Sequence, residues 1–200
     1  MITFALAIVL MLATPGPGVL SAAGVGAGFG AAAGLRYVAG LCIGQALVYA
    51  AVAAGLSAFV LDTPWLRITL MAVSFLYLLY LASRIAFAGA QVAFIRSETP
   101  PGLMAGLLLQ PINPKAYAVN KTFFSGFAFY PDSFLTETII KLLILNAIWI
   151  PVHFAWLYAG NRLRSLDISA QAQRRINFLM AFCLLGVVGL SLISILGYST

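Results

Sequence analysis

A chain of 200 residues that is 62% apolar and only 8% charged cannot cover itself with a water-soluble surface, since ordinary soluble domains carry roughly 25% charged side chains. Its mean hydropathy of +1.03 predicts an all-α polytopic membrane protein, a single transmembrane domain over residues 1–200. The net charge of +6 would suit nucleic acid on a soluble protein, but here the basic residues fall mostly in short gaps between apolar runs, where they orient a protein in a lipid bilayer.

A hydrocarbon core about 30 Å thick takes about 20 helical residues, and six predicted spans follow in chain order. The first, about 2 to 29, opens on Met-Ile-Thr-Phe without a basic residue and runs on past a proline break, so it reads as a retained span and not a cleaved signal peptide. That break is Thr14-Pro-Gly-Pro-Gly18. Gly26, Gly30 and Gly34, then Gly40 and Gly44, recur every fourth residue, placing small residues on one helical face for close packing. The second span, about 38 to 60, carries the polar Gln45. The third, about 66 to 86, is aliphatic, with Arg67 and Arg84 at its ends able to snorkel outward. A second break, Gln110-Pro-Ile-Asn-Pro-Lys115, interrupts the fourth span, about 102 to 128. The fifth, about 139 to 160, holds Asn146 and His153, and the sixth, about 176 to 197, is aliphatic again.

Alternate gaps differ in basic residues. One set holds Arg36, Arg84, Arg96, Arg162, Arg164, Arg174 and Arg175; the other holds Arg67 and Lys141, with Lys121 close by. The richer set marks the cytoplasm, so both termini are expected outside. Three spans on each side of residue 98 give half-repeats of about 1–95 and 100–200 with opposite topology, a 3+3 inverted repeat with proline-broken first and fourth helices. Breaks at matching places in two such halves are the best sequence pointer to a transporter's binding site.

The chemistry of the breaks is specific. Proline has no N–H and clashes with the carbonyl four residues back, so Pro15, Pro17, Pro111 and Pro114 are expected to free the carbonyls of Met11, Ala13, Leu107 and Gln110 as acceptors. Thr14, Gly16 and Asn113 precede prolines, and each helix restarts there with unpaired N–H groups suited to an anion. Acceptors beside donors match a zwitterion. The bland alternative is an ordinary proline kink. Lys115, near mid-membrane, is costly enough to need a reason: it holds a substrate carboxylate, or it is a carbonyl-paired structural lysine. His153, the only histidine, is a candidate carrier of a coupling proton or a hydrogen-bonded packing residue. The five acids Asp62, Glu98, Asp132, Glu137 and Asp167 sit at loops or segment ends. No nucleotide loop, cofactor motif, metal-ligand spacing or nucleophile–base pair is present, so neither enzyme nor cofactor is expected.

Taken together, Thr14-Pro-Gly-Pro-Gly18, the spaced Gly34, Gly40 and Gly44, Tyr77-Leu-Leu-Tyr-Leu81 before Arg84, and Asn113-Pro-Lys-Ala116 followed by Phe123-Phe124 resemble the LysE/RhtB family of amino-acid exporters over essentially the whole chain. Departures are Asn120-Lys121, which interrupts an apolar stretch, and Gln45, where an acid is frequent. The resemblance implies efflux of amino acids or close derivatives across a bacterial inner membrane, coupled to protons, with both termini periplasmic on the arginine count. The expected substrate site is Pro15, Gly16, Pro17, Gly18, Gln45, Asn113, Pro114 and Lys115, with His153 for proton coupling. Oligomeric state is open, a homo-oligomer included. The competing readings are a divalent-cation exporter using Cys42, Cys183 and His153, a membrane thiol-disulfide relay using Cys42 and Cys183, and a non-transporting scaffold.

Overall fold

The computed structural model describes residues 1–13, 16–87, 99–130, 132–166 and 169–196. Thr14, Pro15, Arg96, Glu98 and Asp167 lie outside these described residues. Among the described residues the regular structure is helical throughout: α1 (Ile2–Ala13), α2 (Pro17–Phe29), α3 (Ala31–Ala53), α4 (Leu56–Asp62), α5 (Pro64–Ala86), α6 (Leu103–Ile112), α7 (Pro114–Ser125), α8 (Phe134–Ser165) and α9 (Ala170–Leu196). By length and composition α3, α5 and α8 can each cross a membrane, and α2 and α6 are shorter apolar helices. At the second proline break α6 ends at Ile112 and α7 starts at Pro114, and after the first α2 starts at Pro17.

Two boundaries differ from the sequence reading. Gly30 takes φ +85° and closes α2 by donating its N–H to the Gly26 carbonyl at 3.0 Å, a backbone angle that favours glycine. Helix α3 then begins at Ala31, well before the expected 38, because Ala31-Ala-Ala33 is a strong helix-forming run. Gly26 and Gly34 therefore belong to different helices and do not form one ladder. At the other end Gly55, with φ +80° and nothing among the described residues within 4 Å of its Cβ position, separates α4 from α3. The second predicted span is thus also broken.

Helix α2 is the centre of the molecule. It is apolar on every side, the pattern of a helix surrounded by others, and Val19 to Gly28 are all buried. It packs most extensively on α8, and α3 packs most extensively on α6. Glycine explains both pairings. A Cβ built on Gly160 would lie 2.0 Å from the Ala23 carbonyl oxygen, and one on Gly26 2.6 Å from that of Leu157. Likewise, Gly40 would meet the Leu103 oxygen at 1.9 Å, Gly44 that of Leu107 at 2.4 Å and Gly106 that of Tyr37 at 2.0 Å. No side chain fits at these positions, so backbone lies on backbone in each pair.

Polar side chains close the helix ends. Arg164 donates to the Gly28 carbonyl and Gln173 to that of Ala27 at 3.2 Å, satisfying acceptors that the end of α2 leaves over and placing a cation at its negative pole. At the start of α8, Glu137 accepts from the Phe129 and Tyr130 N–H groups at 3.1 and 2.7 Å. It also pairs with Lys141 at 2.6 Å. Lys141 is 2% exposed and donates to the Phe124 carbonyl at 2.7 Å. Its charge was expected to lie in a gap; instead it clamps the turn after α7 onto α8.

Candidate functional site

The two breaks open onto one cavity that is partly continuous with the exterior. Gly16, Pro17 and Gly18 line it from the start of α2, Gln45 from α3, Asn113 and Lys115 from the start of α7, and His153 from α8. Seven of the expected site residues are therefore neighbours. Pro114 is buried at the first position of α7 and is not among the lining residues; its part is to restart the helix. Pro15 lies outside the described residues.

The breaks differ in chemistry, contrary to the symmetric reading of the sequence. At the second, the Asn113 side chain accepts from the Lys115 N–H at 3.1 Å, and the Asn113 carbonyl accepts from the Ala116 N–H at 3.0 Å. Its donors are already used. The Gln110 carbonyl, expected free, accepts from the Asn113 N–H at 3.1 Å, and that of Leu107 faces Gly44 of α3. At the first break the N-cap is Gly16, whose lack of a side chain leaves α2 without a side-chain cap. The positive pole of α2 thus faces the cavity, and the Lys115 ammonium lies beside it, 4.0 Å from where a Gly16 Cβ would stand. A helix start beside a lysine has donors and positive charge suited to a carboxylate.

His153 flanks the same segment. Its Nε2 lies 3.1 Å, and the Gln110 amide nitrogen 3.5 Å, from where a Gly18 Cβ would be, so glycine at 18 keeps both side chains within reach of the cavity. The other ring nitrogen, Nδ1, contacts the Trp149 carbonyl at 2.9 Å. A carbonyl only accepts, so Nδ1 carries the hydrogen and Nε2 of the neutral ring is left with its lone pair on the cavity side. Trp149 stacks on the ring, centroids 3.5 Å apart. This holds the imidazole in place.

Tyr49, Gln110, Asn120, Phe123 and Trp149 also line the cavity and were not named as site residues. Helical spacing was the available signal: Tyr49 lies one turn beyond Gln45 and Trp149 one turn before His153, on the same faces. Asn120, the departure noted in the sequence, donates to the Ala116 carbonyl at 2.7 Å and is buried.

The LysE type translocator family matches residues 9–195, a stretch that includes every lining residue except Ile8. The chain belongs to that family. The translocator is therefore a membrane transport protein for amino acids or related compounds, in a family of transporters and not enzymes. No curated protein and no solved structure registers a match.

The cysteines of the translocator do not join this site. Cys42 is half-buried on α3, Cys183 is exposed on α9, both are free thiols, and neither lines the cavity. Among the described residues no three His, Cys, Asp or Glu side chains gather to hold a metal ion. Nothing in the geometry favours the cation or thiol-relay readings.

Proposed function

We propose that this translocator is a secondary exporter of amino acids or close derivatives across the bacterial inner membrane, working by alternating access around the cavity between the two breaks. The observation that carries the reading is the meeting of the open start of α2, Lys115 and His153 at one cavity. In this scheme the substrate carboxylate sits between the α2 start and Lys115, the polar lining takes the ammonium, and His153 carries the coupling proton at Nε2. The chain crosses the membrane six times as a 3+3 inverted repeat with both termini periplasmic.

The close helix pairs argue for a particular division of moving parts. Sequence symmetry places the moving surface between residues 1–95 and 100–200, but each glycine-locked pair joins one helix from each half. The cavity lining sorts accordingly: Ile8, Gly16, Leu145 and His153 come from α1, α2 and α8, while Gln45, Tyr49, Lys115 and Phe123 come from α3 and α7. The two groups that rock are α1–α2–α8 and α3–α6–α7. Backbone-to-backbone packing stays fixed, and the side-chain surface between the groups opens about the point where Lys141 of α8 holds the Phe124 carbonyl of α7.

The test is purified protein in liposomes with a panel of labelled amino acids, with and without an imposed pH gradient. Counterflow of at least one amino acid, together with net transport of the same amino acid driven by the gradient, is the expected result. Absence of counterflow for the whole panel sinks the reading.

A further inference from the structure

The cavity carries information about the substrate side chain as well as its carboxylate, and this inference rests on the exporter reading. Two observations bear on it. The first is charge. Among the described residues the lining holds Lys115 and no carboxylate; Glu137, which might have offered one, is committed to Lys141 and two backbone N–H groups at the other end of α8. A cationic side chain brought into this space meets a like charge with no acid to offset it, in surroundings where charges interact far more strongly than in water.

The second is an orphaned hydroxyl. Tyr49 is 5% exposed, lines the cavity, and its Oη has no hydrogen-bond partner of acceptable geometry among the described residues. Gln45, one turn back on α3, interacts with it without meeting that geometry. By contrast the Tyr37 hydroxyl, also buried on α3, donates to Ser21 at 2.9 Å. A buried hydroxyl held by no well-formed hydrogen bond is costly, and sites that keep one discriminate sharply for ligands that supply the missing group.

We infer that the Tyr49 hydroxyl reads a hydrogen-bonding group on an uncharged substrate side chain, and that amino acids with cationic side chains are excluded. The substrate class is a zwitterionic amino acid with a hydroxyl or amide on its side chain. Phe123 and Val119, which line the cavity and belong to the same apolar cluster as Tyr49, take the aliphatic part.

The experiment is counterflow in liposomes with matched pairs: threonine against its isostere valine, glutamine against its near-isostere methionine, and lysine and arginine as cations. The wild-type protein is expected to prefer threonine to valine, or glutamine to methionine, by roughly ten-fold or more, and to take lysine and arginine at least ten-fold more weakly than the better of these. Tyr49→Phe keeps the ring and removes only the hydroxyl, so the preference within the pair should shrink to about three-fold or less, with the loss falling on threonine or glutamine. A preference that survives Tyr49→Phe overturns the role of Tyr49. Should that variant fail to fold, the wild-type pairs still decide: equal transport of polar and apolar partners, or a best substrate that is cationic, overturns the inference and leaves the exporter reading intact. No counterflow of any amino acid overturns both.

Discussion

Lys115 and Lys121 lie on one helix, yet only Lys115 lines the cavity, beside the open start of α2. Lys115→Met keeps the apolar stem and removes the charge, so insertion is preserved or eased. Loss of one charge-assisted contact to a carboxylate weakens substrate binding by ~1.5–3 kcal/mol, about one to two powers of ten, readable as a raised half-saturation concentration in counterflow. Lys115→Arg should recover part of it, since a planar fork does not replace a compact ammonium; Lys121→Met should change transport less than about three-fold. His153→Gln separates coupling from binding. Gradient-driven net transport is expected to disappear while counterflow persists, because exchange needs no net proton movement; a variant that still transports in response to the gradient eliminates His153 as the carrier. At this scale the sequence was informative about Gly16, Pro17, Gly18, Lys115 and His153, since an interrupted helix and an isolated charge are visible without coordinates. It was silent on Tyr49, because a buried tyrosine is told from an orphaned one only by what surrounds its hydroxyl.

Among helices, the α2–α8 and α3–α6 pairs are set by what glycine leaves out. Gly160→Ala puts a methyl group where the Ala23 carbonyl stands, 2.0 Å away, and rigid backbone cannot step aside. The expected cost is on the order of 1–3 kcal/mol, seen as a lowered unfolding temperature in detergent. Gly186, on α9, has nothing among the described residues within 4 Å of its Cβ position, so Gly186→Ala should be neutral or stabilise by up to roughly 1 kcal/mol, as replacement of a mid-helix glycine does. Equal effects at the two positions would refute the packing argument. The existence and order of the apolar segments were legible because burial in lipid demands long apolar runs. Their ends were less so. The start of α3 depended on a single backbone angle at Gly30, and the four-residue glycine spacing could not say that a turn divides it. The unequal donors of the two breaks hinge on one difference, an asparagine cap at 113 against a glycine at 16, which is readable only once both are seen as N-caps.

For the whole molecule, the proposed division into α1–α2–α8 and α3–α6–α7 makes a cross-linking experiment decisive. In a protein with Cys42 and Cys183 replaced, cysteines at Val119 and Leu145, which line the cavity from opposite groups, should arrest transport when joined by a short bifunctional reagent. The same reagent joining Ile8 to Leu145, within one group, should leave most of it; arrest by both links would return the moving surface to another division. Orientation is checked separately: cysteines placed near Arg162 to Arg164 should be labelled only from the cytoplasm, and ones near Asp132 only from outside, following the arginine bias.

The locked pairs also govern how the chain is made. Ala23 rests against Gly160 and Gly40 against Leu103, so neither close contact exists when the first three predicted spans leave the ribosome. Until α6 and α8 have been inserted, α2 and α3 present glycine faces with exposed carbonyls to lipid, which offers them no hydrogen bonds beyond those of the helix itself. Assembly that depends on contacts distant in sequence is slow and leaves incomplete species exposed. Biogenesis of this translocator therefore has a late docking step, and a nascent chain stalled before α8 is the form that membrane proteases and insertion chaperones are best placed to recognise.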